Sequence, residues 1–243
     1  MYLFRRSVTR ALATGWLAFV LMPVTWAGDK AVLPTLRWAE SQPGCTFSAD
    51  DDGKYRYGLW TDEFGIILAV DSQELQKAVL RTEPIFAVLL TVRYRGQESL
   101  SLKPAGISLE FVKHSHDVQT ALEPDNLATK FWNDAARFSA ETDQEIRKHP
   151  EQSAGKLAAL EEHKKNVGQM LEFLKTRSLR EVRVDPGHPE AAGWVYFSAR
   201  SKWVGDWKKQ EEFVLRIEVS GRTIEFPFAL PPSHGDLILR RRP

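Results

Sequence analysis

The stretch that decides the fold is "FVLRIEVSGRTIEFPF", residues 213–228. Apolar and polar side chains alternate on both sides of Ser220-Gly221, which is the period of half-buried β-strands. A two-residue turn at Ser220-Gly221 places Arg216 opposite Glu225, a favourable cross-strand charge pair. The same register pairs apolar residues on the other face: Ile217 with Ile224, Leu215 with Phe226 and Phe213 with Phe228. Turn, apolar face and charges therefore all predict the same β-hairpin.

Strand signals also fill the region from Leu36 to Lys113. Short apolar runs are broken there by glycine, proline and aspartate. The run "IFAVLLTVRY", residues 85–94, is apolar on both faces, which is typical of a central strand covered from both sides. The run "ISLEFV", residues 107–112, predicts a further strand.

The hydrophobic period becomes helical between Pro124 and Ser178. Asp125 is placed to cap a first helix, and Pro150 is placed to end it. Because the connector "HPEQSAG" is short, we expect two antiparallel helices with their apolar stripes buried. The first stripe is Leu127, Phe131, Ala135, Phe138, Thr142 and Ile146, and the second is Leu157, Leu160, Val167, Leu171 and Leu174.

Strands, a helical excursion and strands again predict a mainly β chain of the α+β class. We expect an antiparallel β-sandwich with an inserted helical hairpin at about residues 124–178, rather than alternating βαβ units. Without the first 27 residues, the remaining 28–243 suit one domain in length.

Two blocks of the chain resemble secreted immunoglobulin-like modules of unknown function. Residues 85–112, "IFAVLLTVRYRGQESLSLKPAGISLEFV", are similar to a strand, polar turn and strand of those modules. "GWVYFSAR", residues 193–200, resembles a later strand, and the Ser220-Gly221 hairpin resembles their closing pair. The resemblance covers about half of the mature chain and implies an immunoglobulin-like β-sandwich in an exported protein. It implies no catalytic residues, and the helical insertion and missing cysteine pair depart from the pattern.

The N-terminus is typical of a secretory signal peptide. An apolar run from Ala11 to Ala27 ends in Thr25-Trp26-Ala27, with small residues at the positions that signal peptidase requires. Three basic residues precede it: Arg5, Arg6 and Arg10. We expect cleavage after Ala27, no stable transmembrane anchor after processing, and a periplasmic or secreted protein. An uncleaved anchor is the alternative, although the run is short and Pro23 interrupts it.

Charge and cysteine content exclude some classes of partner. Without the three leader arginines, 30 basic residues stand against 32 acidic ones. This balance provides no global attraction to nucleic acid or anionic lipid, so we expect no nucleic-acid partner. Cys45 is the only cysteine, and no intrachain disulfide can form. The oligomeric state stays open.

No motif indicates a reaction or a cofactor. The chain has no G-x-S-x-G around a serine and no glycine-rich phosphate loop between a strand and a helix. His114 and His116 would place two imidazoles on one side of a strand, and His188 could join them as a third zinc ligand. The alternative hypothesis, a metal-dependent envelope enzyme, is based on His114 and His116.

The stretch "KWVGDWKK", residues 202–209, contains the candidate binding surface. If the tip of the loop lies near Gly205, two indole rings project together above a rim of lysines. The residues are Trp203, Trp207, Lys202, Lys208 and Lys209. Aromatic faces beside cations suit an envelope polysaccharide, peptidoglycan or a protein partner. The alternative is that one ring or both cap the end of the sandwich, with Trp203 packed near the strand end and Trp207 more exposed. The sequence therefore predicts an exported, non-enzymatic binding or protein-interaction module of the cell envelope.

Overall fold

The computed structural model describes residues 34–50, 53–78, 84–204 and 209–232. The predicted leader lies outside these residues. In chain order, the strands are β1 (Leu36–Arg37), β2 (Cys45–Ala49), β3 (Lys54–Trp60), β4 (Phe64–Asp71), β5 (Ile85–Tyr94), β6 (Leu100–Leu102), β7 (Ile107–Phe111), β8 (Asp117–Thr120), β9 (Val182–Val184), β10 (Glu190–Ser198), β11 (Glu211–Val219) and β12 (Arg222–Leu230). The helices are α1 (Ser72–Ala78), α2 (Pro124–Lys148) and α3 (Ser153–Arg177). The chain is mainly β with a helical region, as predicted for the α+β class.

Two five-stranded sheets contain ten of the twelve strands found in the described residues. The first has the order β1-β12-β11-β7-β8, in which β1 is parallel to β12 and the other neighbours are antiparallel. The second has the order β10-β5-β4-β3-β2 and is antiparallel throughout. Strands β6 and β9 form a small third sheet.

The hairpin of β11 and β12 has the predicted register. Leu215 pairs with Phe226 and Arg216 with Glu225, and the Arg216 Nε lies 2.9 Å from the Glu225 Oε1. Ser220 and Gly221 have φ angles of 48° and 76°. Positive φ at both central residues is the turn whose twist matches that of the paired strands.

The inward faces of both sheets contribute to one hydrophobic core. The Phe86 ring of the second sheet lies 4.9 Å from the Phe213 ring of the first, measured between centroids. The largest fully buried aromatic residues are Phe86, Phe111, Phe197, Phe213 and Phe226. Each such side chain contributes about 1.5–3 kcal/mol by leaving water, so the core is the main source of stability.

The helical hairpin is present, but its start differs from the prediction. Helix α2 begins at Pro124 after Glu123, so Asp125 lies in the first turn and is not the capping residue. Pro150 falls in a short 3₁₀ turn between α2 and α3, as expected for a residue that ends a helix. None of the described helices is long and apolar enough to cross a membrane.

The predicted burial of both apolar stripes is correct only in part. Leu160 is buried, whereas Phe131, Val167 and Leu171 are half-buried. Phe138 is 38% exposed and packs beside His163, so its predicted burial is wrong. Along this part of the hairpin the helices pack on each other, and one helix facing another covers only one side of a large ring.

Candidate ligand-binding site

The helical hairpin is attached to the outer edge of β10 at both of its ends. Before α2, the Leu122 N–H donates to the Tyr196 carbonyl at 2.8 Å. After α3, the Leu179 N–H donates to the Trp194 carbonyl at 2.9 Å. These two main-chain bonds place the base of the hairpin beside Trp194 and Tyr196 of β10.

An ion pair links the start of α2 to the segment that follows α3. Arg180 donates from Nη1 and Nη2 to the two carboxylate oxygens of Asp125, at 2.9 and 2.8 Å. The Arg180 hydrogen bond holds the pKa of Asp125 below its usual value. Both side chains are exposed, so water screens the pair and it orients the helix ends more than it stabilises the fold.

The sheet below the hairpin presents two aromatic residues beside a small one. Because side chains alternate along a strand, Trp194 and Tyr196 of β10 share the outer face with Ile85 and Ala87 of β5. Tyr196 pairs directly with Ala87. The short alanine side chain leaves a depression next to the rings.

Apolar side chains of both helices face this part of the sheet. Leu127 of α2 and Leu174 of α3 are buried with Tyr196 in a second hydrophobic cluster, separate from the main core. Phe173 of α3 lies 6.2 Å from Trp194, between ring centroids, and is only partly covered. The base of the hairpin is therefore packed, but its aromatic residues are not fully enclosed.

Between the helices and the sheet lies a cleft of about 480 Å³, which we call the hairpin cleft. Its apolar walls include Ile85, Ala87, Phe131, Met170, Phe173 and Trp194. A cleft of this size, lined mainly by apolar and aromatic groups, has the form of a small-molecule site.

Polar side chains also line the hairpin cleft. They are Asp71, Glu74, Asn166 and Gln169, and no lysine, arginine or histidine of the described residues lines it. The Asp71 Oδ1 accepts the N–H groups of Gln73 and Glu74 at 3.1 and 3.0 Å, so this carboxylate is already used to cap α1. These side chains give the cleft lining two carboxylates and two amides but no cation among the described residues, which disfavours an anionic ligand.

The Tyr196 hydroxyl lies in the cleft wall and is hydrogen-bonded to the Ser178 hydroxyl at 3.1 Å. Burial raises the pKa of Tyr196, because the charged phenolate would lose its water. The phenol therefore stays neutral, and with its bond to Ser178 it acts as part of the wall.

The predicted aromatic platform is not formed by Trp203. This ring is only 6% exposed, because a 3₁₀ turn at Ser201–Trp203 brings it against Phe111 at 4.9 Å and His114 at 5.0 Å. Lys202 and Lys209 are exposed. Trp207 and Lys208 lie outside the described residues. The exposed-platform hypothesis is thus corrected for Trp203, which packs at the end of the core.

His114 and His116 lie in the turn between β7 and β8, not on a strand. The His114 Nε2 lies 3.2 Å from the Glu211 Oε2, whereas the His116 Nδ1 lies 2.5 Å from the Glu110 Oε1. The two imidazoles thus contact different carboxylates. His188 is in a separate turn beside Asp185. Within the described residues, no three or more His, Cys, Asp or Glu side chains are grouped so as to hold a metal ion.

Sequence reasoning missed the hairpin cleft, although signals for it were present. Phe131 belongs to the first apolar stripe, whose burial was predicted, and Trp194 belongs to the strand predicted at residues 193–200. The apolar outer face of β5 indicated coverage from both sides, but pattern alone does not show whether the covering helices fill the space. The main-chain bonds that attach the hairpin to β10 set the position of the helices, and hence whether they fill the space above the sheet.

The chain was compared with known protein families, curated proteins and solved structures, and no match was found in any of the three comparisons.

Proposed function

We propose that the chain is an exported, non-enzymatic binding module of the cell envelope, and that the hairpin cleft is its ligand site. The ligand has an apolar body and carries no negative charge. The proposal of export is based on the basic and apolar N-terminal segment. The proposed class of ligand is based on the apolar and acidic side chains that line the cleft.

The observation that carries this proposal is the unfilled apolar space beside Trp194. Exposing apolar and aromatic surface to water is unfavourable, at roughly 25 cal/mol for each Å². Ala87 contributes only a methyl group to the lining of this space, whereas Leu127 and Leu174, which also line it, are buried with Tyr196. A ligand that covers these side chains removes their apolar surface from water, and this burial contributes favourable free energy to binding.

We further propose that the two sheets form a variant of the immunoglobulin-like sandwich. In such folds the second strand pairs with the fifth in one sheet, and the sixth lies between the third and seventh in the other. Here β5 pairs with β10, and β11 lies between β7 and β12, which supports this assignment. The hairpin of α2 and α3 then occupies the connection between the third and fifth strands of that scheme.

The test is the binding of N-phenyl-1-naphthylamine, an uncharged apolar probe that fluoresces when it leaves water. Ala87→Trp places a large ring in the floor of the cleft. We expect it to weaken probe binding at least about tenfold, because the added indole occupies the ligand volume.

Ala140→Trp is the matched control, since Ala140 is an exposed residue of α2 that does not line the cleft. We expect this variant to bind the probe like the wild type. Unchanged binding by a folded Ala87→Trp protein would rule out the cleft as the site. Thermal unfolding of both variants establishes that they are folded.

A further inference from the structure

Strand β12 has an open outer edge over its second half. On that side β1 pairs only with Ile224 and Glu225, and the Trp38 N–H then donates to the Glu225 carbonyl at 2.8 Å. After Trp38 the chain leaves toward β2. Among the described residues, no strand pairs with this edge from Phe226 to Leu230.

The hairpin register shows which main-chain groups face this edge. The pair that flanks a two-residue turn, Val219 with Arg222, exchanges both hydrogen bonds, and so does every second pair after it. Pro227 and Ala229 fall between those pairs, so their main-chain groups point away from β11. Proline has no N–H, and the open edge therefore offers the Pro227 carbonyl as an acceptor and the Ala229 N–H as a donor.

A groove of about 500 Å³ lies along this edge. We call it the edge groove. Its aromatic and edge residues are Trp38, Phe47, Tyr57, Pro227, Phe228 and Ala229, and polar side chains of the first sheet's outer face, including Glu110, His116 and Arg216, also line it. Tyr57 is its central ring, with centroids 5.1 Å from Trp38, 5.0 Å from Phe47 and 5.7 Å from Phe228. The groove thus combines unpaired main-chain groups with an aromatic wall.

Tyr57 also carries a polar group without a described partner. The residue is 3% exposed, and its buried hydroxyl makes no hydrogen bond with any residue that the structure describes. Burial raises the pKa of Tyr57, so the phenol remains a neutral O–H that can donate and accept. Leaving a buried hydroxyl unpaired is unfavourable, and a bound group that pairs with it would remove this penalty.

We propose that the edge groove binds an extended segment of a partner polypeptide, which adds a strand to β12 in line with β1. The partner's main chain bonds to Pro227 and Ala229. One inward side chain, bearing a hydroxyl or an amide, reaches the Tyr57 hydroxyl.

The choice of a polypeptide follows from the edge itself. In a parallel pair, one residue of the added strand gives its N–H to one residue of the edge and its C=O to the residue two further along. The Pro227 carbonyl and the Ala229 N–H have this spacing. Strand addition of this kind draws affinity from the main chain and specificity from side-chain pockets, which the aromatic wall supplies. The site is separate from the hairpin cleft and does not depend on the function proposed for it.

The test begins with random dodecamer peptides displayed on phage and selected on the immobilised full-length mature protein. Synthetic copies of the recovered peptides are then measured by fluorescence anisotropy. We expect Ala229→Pro to weaken binding at least about tenfold, because it removes the edge donor. N-methylation of alternate peptide nitrogens should have a similar effect, and Tyr57→Phe should weaken binding several-fold without lowering the thermal unfolding midpoint.

Ala192→Pro is the matched control on the other sheet. The carbonyls of Trp194 and Tyr196 point to the outer edge of β10, so the main-chain groups of Ala192 also point away from β5. This variant should bind the peptides normally. If Ala229→Pro does not fold, the proposal is tested by the peptide affinity of Tyr57→Phe and by the affinity of the N-methylated peptides for the wild type.

Any one of the following results would overturn the proposal. The first is failure to recover any peptide, or equal binding by wild type, Ala229→Pro and Tyr57→Phe. The second is a dimer that forms with rising concentration and is lost in Ala229→Pro, which assigns the edge to a second copy of the chain. The third is a rise in peptide affinity after truncation at Pro232, which assigns the edge to the chain's own C-terminal segment.

Discussion

The carboxylate of Glu110 joins a row of charges across the outer face of the first sheet. Its Oε1 lies 2.5 Å from the His116 Nδ1, and its Oε2 lies 2.5 Å from the Arg216 Nη2. Arg216 continues to Glu225, whose other oxygen lies 2.6 Å from the Arg37 Nη1. Only the Arg216–Glu225 pair was predicted, because it lies within one hairpin. Arg216–Glu110 and Arg37–Glu225 join segments far apart in the chain, and His116–Glu110 depends on the turn after β7.

This environment predicts how acid affects stability. The hydrogen bond with His116, followed by those with Arg216, holds the pKa of Glu110 below its usual 4.5. Glu110 is only 7% exposed, so its charge is poorly compensated by water. A lowered folded-state pKa stabilises the fold above pH 4.5, and this contribution is lost as pH falls through the folded-state pKa.

We therefore expect Glu110→Gln to lower the free energy of unfolding by about 1–3 kcal/mol at pH 7. The difference from wild type should shrink as the pH falls below 4.5. Urea unfolding between pH 7 and pH 3 measures both quantities. Glu218→Gln, at an exposed position of β11, is the control, and a difference for Glu110→Gln that does not change with pH would contradict the account.

At the scale of elements, the helical hairpin has two parts with different packing. Near β10, Leu127 and Leu174 are buried against Tyr196. Farther along, Phe138 packs beside His163 and remains partly in water. The period of apolar residues is the same in both parts, so periodicity alone did not distinguish them.

The two parts should respond differently to truncation. Leu174→Ala removes a fully buried side chain, and we expect it to lower the free energy of unfolding by about 2–5 kcal/mol. Phe138→Ala should lower it by about 1 kcal/mol, since water already reaches much of the ring. Chemical unfolding of both variants measures the difference. Equal losses would mean that the distal part of the hairpin is packed as tightly as its base.

At the scale of the whole molecule, the N-terminal segment predicts cleavage by signal peptidase. Cleavage after Ala27 removes every residue of the apolar run and leaves Gly28 as the first residue. N-terminal sequencing of the protein from the envelope fraction of cells should begin at Gly28. The control is a chain with Ala27→Arg, in which the small residue at the cleavage site is lost and processing should fail. An intact Met1 in the membrane fraction would instead establish an anchor.

The sequence by itself determined the class of the fold, its longest strands and its register at the decisive hairpin. These features depend on local physics: the alternation of apolar residues, a turn that requires positive φ, and a charge pair across two adjacent strands. The helical excursion was predicted for the same reason, because the period of its apolar residues changes within one continuous stretch.

Only the tertiary structure decided the sites. The sequence pattern predicted a buried Phe138 and an exposed Trp203, yet Trp203 is covered by Phe111 and His114 and Phe138 is partly open. The hairpin cleft depends on two main-chain bonds to β10, and the edge groove depends on β1 ending after two residues. Burial is set by which distant segments meet and by whether they fill the space between them, and neither property is contained in a local pattern.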